Sequence, residues 1–125
     1  KTIGVSMINR PKTILCDIDG TILKHSGSLK NIHDSTPKIL EGVLETFVEW
    51  DKKGYNIILI TGRRENLRKI TEDHLAKCGI FYDKLIMGVG GGPRVVINDL
   101  KPDSDEPTAV AINLKRNEGF KNVKI

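Results

Sequence analysis

Two carboxylates one residue apart close an apolar run near the start of this chain: Ile14-Leu15-Cys16-Asp17-Ile18-Asp19-Gly20-Thr21. If residues 13–18 form a strand, alternation turns Asp17 and Asp19 to one face, where burying two unpaired charges is costly. A divalent cation with oxygen ligands would neutralise them, and a carboxylate is itself a nucleophile for phosphoryl groups. The plainer alternative is an Asx-rich turn at a strand end. Three further stretches bear on the choice. Thr61-Gly62-Arg63 follows a second apolar run, a glycine-rich turn at 88–92 follows a third, and Asn98-Asp99 with Asp103 follows a fourth. Ligands of open α/β sheets bind beyond the carboxyl ends of the strands, so all of these groups would meet in one crevice.

The elements that must place them alternate between short apolar runs and longer helical patterns, the signature of β-α-β units around a parallel sheet. Strands are expected at 13–18, 56–60, 84–87, 94–97 and 108–114. Residues 38–53 carry Ile39, Leu40, Val43, Leu44, Phe47 and Val48 at helical spacing. Thr36 is the expected N-cap, with Pro37 at the first helical position and Gly54 past the end. A second helix is expected from Glu65 to Cys78, closed by Gly79, with His74 as a surface or core-edge residue. Residues 3–8 have strand character without a helix before Asp17. The 125 residues suit one domain, 1–125, with one core.

Composition narrows the setting. No run approaches the roughly 18 apolar residues of a membrane span, and residues 1–10 are too short and polar for a signal peptide. A soluble, cytoplasmic protein without membrane contact is expected, with Cys16 and Cys78 as reduced core residues. The net charge of +4 is concentrated toward Lys115, Arg116, Lys121 and Lys124. That mild basic balance fits a small anionic substrate and also permits nucleic acid.

With these motifs in order, the sequence resembles the haloacid dehalogenase superfamily of phosphohydrolases. The family's first motif, Asp-x-Asp-Gly-Thr, is matched by Asp17-Ile18-Asp19-Gly20-Thr21, its second by Thr61, and its acidic fourth by Asp99 and Asp103. The resemblance implies a three-layer α/β/α, Rossmann-like domain with a mainly parallel sheet and little or no cap. It implies a Mg²⁺-dependent phosphomonoesterase working through a phospho-aspartate. Asp17 would attack phosphorus and help bind Mg²⁺, while Asp19 would protonate the leaving alcohol, activate water and ligate the metal through its main-chain carbonyl. Asp99 would be the outer metal ligand, Asp103 would hold a metal-bound water, and Thr61 with the backbone near Gly62 would bind the phosphoryl group. An acid at position 19 favours phosphatase or phosphomutase over dehalogenase or ion pump. The fourteen residues between Thr21 and Thr36 are too few for the cap a mutase uses to exclude water, so phosphatase leads.

The family's third motif is a Lys or Arg, which in similar capless phosphatases commonly sits in a Gly-Lys-Pro segment. Here that segment reads Gly88-Val89-Gly90-Gly91-Gly92-Pro93-Arg94, and Arg94 is the candidate cation, ahead of Lys69 and Lys84. Asn98 could add an amide oxygen to the metal set. Substrate contacts are expected from Gly62, Arg63 and His25, with Lys24, Lys30, His33 and Arg64 nearby. His25, Thr61-Gly62-Arg63, Tyr82-Asp83-Lys84-Leu85 and Arg116-Asn117-Glu118-Gly119 together look like small phosphatases of capsule and sugar-nucleotide pathways, which implies a sugar phosphate. Thr61-Gly62-Arg63-Arg64-Glu65 with the basic C-terminus also resembles nucleic-acid 3'-end phosphatases. A non-catalytic module that binds a phospho-ligand or lipid headgroup is the alternative of another class. A homo-oligomer is compatible with all three, since a neighbouring copy could supply a lid or a cation.

Overall fold

The computed structural model describes residues 10–25, 27, 32 and 36–125. Three strands, β1 (Thr13–Asp17), β2 (Asn56–Ile60) and β3 (Lys84–Ile86), form a parallel sheet in the order β1-β2-β3. Helix α1 (Val43–Lys52) crosses from β1 to β2; a 3-10 turn (Glu65–Leu67) and helix α2 (Arg68–Lys77) cross from β2 to β3. The chain thus has the α/β architecture of a Rossmann-like fold. Residues 3–8, Lys30 and His33 lie outside the described residues.

Register aligns the strands at their carboxyl ends. Asp17 pairs with Ile60, and Ile60 with Ile86, so the residues after all three strands emerge from one edge. Ile14, Cys16, Ile57, Leu59 and Leu85 share one face, as a two-residue period requires. They pack with Val43, Phe47 and Trp50 of α1 and Leu75 of α2. Phe47 is fully buried and sits 5.0 Å from the Trp50 ring, 6.1 Å from Phe81 and 6.3 Å from Phe120. The opposite face is barer, with Leu15 and Ile86 about half exposed.

Helix α1 starts seven residues beyond the expected Thr36 cap. The backbone of 38–40 is used elsewhere: Lys24 N–H donates to the Lys38 carbonyl and Leu40 N–H to the Ile22 carbonyl, making a short ribbon with 22–24. Gly42, at φ 77°, then turns the chain into the helix. Its Cβ would lie 3.0 Å from the Phe120 carbonyl, so a side chain there would meet the docked C-terminal segment. Glu45 in the first turn and Lys52 in the last suit the helix dipole. Helix α2 begins after the 3-10 turn and stops at Cys78, where Gly79 takes φ 73° and Ile80 N–H returns to the Leu75 carbonyl. Cys16 is buried and Cys78 half-buried, both as free thiols; burial pushes the Cys16 thiol up to about 12.

The fourth and fifth strands expected at 94–97 and 108–114 do not form. Val95, Val96, Ile97 and Val110 are exposed, and the segment is closed on itself by side chains. The Asn98 amide donates to the Thr108 carbonyl and hydroxyl, and the Thr108 hydroxyl donates to the Asp99 carbonyl. β-branched composition expresses a preference for extended backbone, whereas a strand also needs a partner edge. Removing the aromatic centre tests the core: Phe47→Ala should lower stability by about 3–5 kcal/mol in urea unfolding. A loss below about 1 kcal/mol would mean the helix layer does not rest on that ring.

Candidate active site

The end of β1 is built as a tight turn. Ile18 is fully buried, and its carbonyl accepts the N–H groups of Thr21, Ile22 and Leu23 at 2.9–3.1 Å, while Gly20 N–H donates to the Leu23 carbonyl at 2.7 Å. Anchoring Ile18 presents Asp17 and Asp19 on either side of it. Gly20, at φ 85°, allows the reversal.

The two carboxylates have different surroundings. Asp17 accepts the Thr21 hydroxyl on Oδ2 at 3.0 Å, and Arg94 Nη1 stands 3.5 Å from its Oδ1. Both members of that ion pair keep about a third of their side-chain surface exposed, so a ligand can reach them. Asp19 is held on both oxygens: Arg63 Nε donates to Oδ2 at 2.8 Å and Nη2 to Oδ1 at 2.7 Å. The remaining Arg63 nitrogen, Nη1, donates to the Thr71 hydroxyl of α2 at 3.0 Å. Arg63, expected to touch substrate, is turned inward with its side chain only 5% exposed. A fork of donors aimed at a planar carboxylate is satisfied by this pairing, so its role here is to position Asp19.

Thr61 ends β2 almost fully buried. Its N–H donates to the Ile86 carbonyl, its carbonyl accepts the Val89 N–H, and its Oγ1 accepts the Arg63 N–H at 3.0 Å. The hydroxyl thus shapes the turn that aims Arg63 while keeping its own proton to donate. Gly88 N–H donates to the Arg63 carbonyl, which lays the 88–91 turn against 61–63. A Cβ on Gly62 would come 3.2 Å from the Gly90 carbonyl, so a side chain there would require the 88–91 turn to give by a few tenths of an ångström. The same Gly90 carbonyl accepts Arg94 Nη2 at 3.3 Å and steers the guanidinium to Asp17. Lys69 lies on the surface of α2 beside Asp73, and Lys84 begins β3, at the end of the strand remote from the site.

Asp99 and Asp103 are not brought to this edge. Asp99 is exposed and bonded to Lys101 at 2.8 Å, which holds its carboxyl below the usual range; Asp103 sits at φ 64° in the same exposed segment. Among the described residues, no three His, Cys, Asp or Glu side chains converge as a metal-binding group. Of the ligands that the resemblance implies, Asp17 stands at this edge with its carboxylate a third exposed, and the Asp19 main-chain carbonyl is two residues along the same turn. Hard oxygens from one or two residues, completed by water and substrate phosphate, are the usual donor set for Mg²⁺, so the residues present fit that ion.

Two features pack where the residue pattern does not indicate, the first being His74, expected at the surface or core edge. His74 of α2 is buried, and burial, then the charges of Arg63 and Lys77, push its imidazole below the ordinary 6.5. The C-terminal segment also returns to the site. Asn117 N–H donates to the Gly20 carbonyl, the Asn117 Oδ1 accepts the His25 N–H, both at 2.8 Å, and the Arg116 stem lies against Gly20. His25 itself spends Nδ1 on the Gly27 N–H at 3.1 Å. The Arg116-Asn117-Glu118-Gly119 pattern and the basic C-terminal charge were the visible signals, without indicating where they pack.

Fold, motif order and strand-end carboxylates define a haloacid dehalogenase-like domain. Within that superfamily the chain belongs to the LNS2 domain family: the family described as PITM 1-3, LNS2 domain matches residues 14–93. Comparison with curated proteins returned no match. Among solved structures, a chain in the Pnkp1/Rnl/Hen1 RNA repair complex is 36% identical over 62% of this chain and 25% of its own length, with a TM-score of 0.53. A chain in a second Pnkp1/Rnl/Hen1 structure is 32% identical over 68% of this chain and 30% of its own, with a TM-score of 0.54. This chain therefore spans less than a third of those relatives' lengths. A crystal structure from Vibrio cholerae shares the fold at 21% identity, covering 73% and 84% of the two chains at a TM-score of 0.51.

The neutral His74 sets a sign for stability. An unfolded chain protonates this imidazole near pH 6.5, whereas the folded chain resists, so acidification through that value favours unfolding. The urea midpoint should fall between about pH 7.5 and 5.5, and His74→Gln should flatten part of that fall. Equal pH slopes in the two proteins would show that His74 does not contribute.

Proposed function

We propose that this chain is a phosphomonoesterase of the haloacid dehalogenase type, with Asp17 as nucleophile. The observation that carries the reading is the asymmetry of the two carboxylates: Asp17 is open to ligand beside a cation, while Asp19 is fixed two residues away. An Asp17 oxygen would form the bond to phosphorus as the bond to the leaving oxygen breaks, giving a phospho-aspartate. Asp19 would give the leaving alkoxide a proton, then take one from water as that water attacks the phospho-aspartate and releases phosphate. Both Asp19 oxygens are engaged by Arg63, so the carboxylate is set up as the base, and acting as the acid requires one of these bonds to open. Arg94 would follow Asp17's charge onto the phosphoryl oxygens, with the Thr61 hydroxyl as a further donor. Mg²⁺ held by Asp17 and the Asp19 carbonyl would screen nucleophile from phosphate; Asp99 and Asp103 would join it only if their segment moved.

For the substrate, the likeness to chains of an RNA repair complex supports a phosphorylated nucleic-acid 3' end. A site open at the strand ends would admit such an end. A sugar phosphate is the small-molecule counterpart and needs the same phosphoryl contacts. Free thiols at Cys16 and Cys78 suit a reducing, cytoplasmic setting.

Phosphate release from sugar phosphates, nucleotides and 3'-phosphorylated oligonucleotides tests this directly. Turnover should require Mg²⁺, cease with EDTA and be abolished in Asp17→Asn. Binding without turnover by the wild type would instead support a non-catalytic phospho-ligand module. Arg94→Ala should lower kcat/KM at least tenfold, equivalent to about 1.4 kcal/mol of transition-state binding. A change within about twofold would remove Arg94 from the site's chemistry.

A further inference from the structure

Of the arginines that surround the catalytic turn, two are committed. Arg63 is spent on Asp19 and Thr71, and Arg94 on Asp17 and Gly90. Arg116 differs. Its Cγ lies 3.0 Å, and its Cδ and Nε 3.7 Å, from where a Cβ on Gly20 would stand, so its stem crosses the turn directly after Asp19. The side chain is exposed, and no carboxylate among the described residues comes within ion-pair distance of it.

The backbone beneath Arg116 is fixed at several points. Asn117, at φ 65°, donates its N–H to Gly20 and accepts the His25 N–H, bracketing both ends of the catalytic turn. Three residues on, Phe120 N–H donates to the Glu41 carbonyl at 2.8 Å, and its ring is buried 5.8 Å from Trp50. A Cβ on Gly119 would fall 2.3 Å from the Glu41 carbonyl, so this close seating needs glycine at 119. A segment anchored in the core therefore carries onto the rim of the site a guanidinium that has no carboxylate partner among the described residues. Holding a long cation over glycine, with its head in solvent, suits contact with a ligand better than support of the fold.

We propose that Arg116 is a substrate-binding residue that takes a second phosphate, the internucleotide phosphate next to the 3'-terminal one. The inference rests on the phosphomonoesterase reading with a nucleic-acid end as substrate. In that reading Arg94 takes the reacting phosphoryl group, which leaves a cation on the outer lip for the leaving-group side. An internucleotide phosphodiester carries one negative charge and two free oxygens, which the planar guanidinium can bind bidentately. The contact would add affinity and select substrates with a second phosphate, without touching the reacting atoms.

The test compares wild type, Arg116→Gln, which keeps a polar stem over Gly20, and Arg116→Lys. Turnover of a 3'-phosphorylated tetranucleotide is measured against p-nitrophenyl phosphate, which has no second phosphate. In Arg116→Gln the ratio of the two kcat/KM values should fall about tenfold or more, chiefly through KM for the oligonucleotide. Arg116→Lys should recover much of that loss. Binding of the same tetranucleotide by fluorescence anisotropy should lose about one unit of salt slope in Arg116→Gln. A ratio within twofold of wild type, or an unchanged salt slope, overturns the assignment. If the wild type turns over neither substrate, the phosphatase reading fails by itself. The anisotropy comparison still decides Arg116, and failure of the wild type to bind the tetranucleotide overturns it.

Discussion

The ion pair between Arg63 and Asp19 is the constraint on which the site depends. It joins three separate pieces of chain: the turn after β1, the turn after β2 and, through Thr71, the second turn of α2. A buried guanidinium costs several kcal/mol of lost hydration unless its donors are met. Here Nε, Nη1 and Nη2 each have an acceptor within 3.0 Å. The pair therefore contributes geometry more than stability. It fixes where Asp19 stands relative to Asp17, and it sets a positive charge beside His74, which adds to burial in keeping that imidazole neutral.

Glycine makes the rest of the arrangement possible by allowing backbone to approach backbone. Gly62 lets the 88–91 turn lie against the end of β2, and that contact supplies the carbonyl that steers Arg94. Gly20 lets the Arg116 stem cross the turn after β1, and Gly119 lets the C-terminal segment lie against Glu41. Each contact is local, yet together they bring cations from positions 63, 94 and 116 to a turn that carries two anions. The charge arrangement is therefore made by loop packing, although the sheet sets the edge on which it is displayed.

The absence of a large insertion follows from the same economy. The ribbon between 22–24 and 38–40 brings the chain back within about fifteen residues, and Leu23 and Ile39 pair across it. An edge left uncovered among the described residues favours recognition from the rim over enclosure. Segment 115–120, docked by Phe120 and Asn117, is the piece of described chain that adds substance to that rim.

Much of the fold and part of the site could be read from residue order. Strand-length apolar runs, the helical spacing of Val43, Leu44, Phe47 and Val48, and glycines at helix ends yielded β1, α1, β2, α2 and β3, because these signals are local. Asp17-Ile18-Asp19-Gly20-Thr21 likewise announced its chemistry, since two carboxylates at a strand end need compensation wherever they occur. Other features required three dimensions. Extended propensity at 94–97 and 108–114 could not say whether an edge would receive them, and in the structure they remain outside the sheet with Asp99 and Asp103. Arg63 and Arg94 look alike in sequence, yet one is buried on Asp19 and the other stands half-open beside Asp17. The sequence by itself determined which groups could react and which strand ends would present them, because both depend on neighbours a few residues away. Only the tertiary structure decided which cation faces which carboxylate, because that depends on loops distant in sequence meeting within hydrogen-bond range.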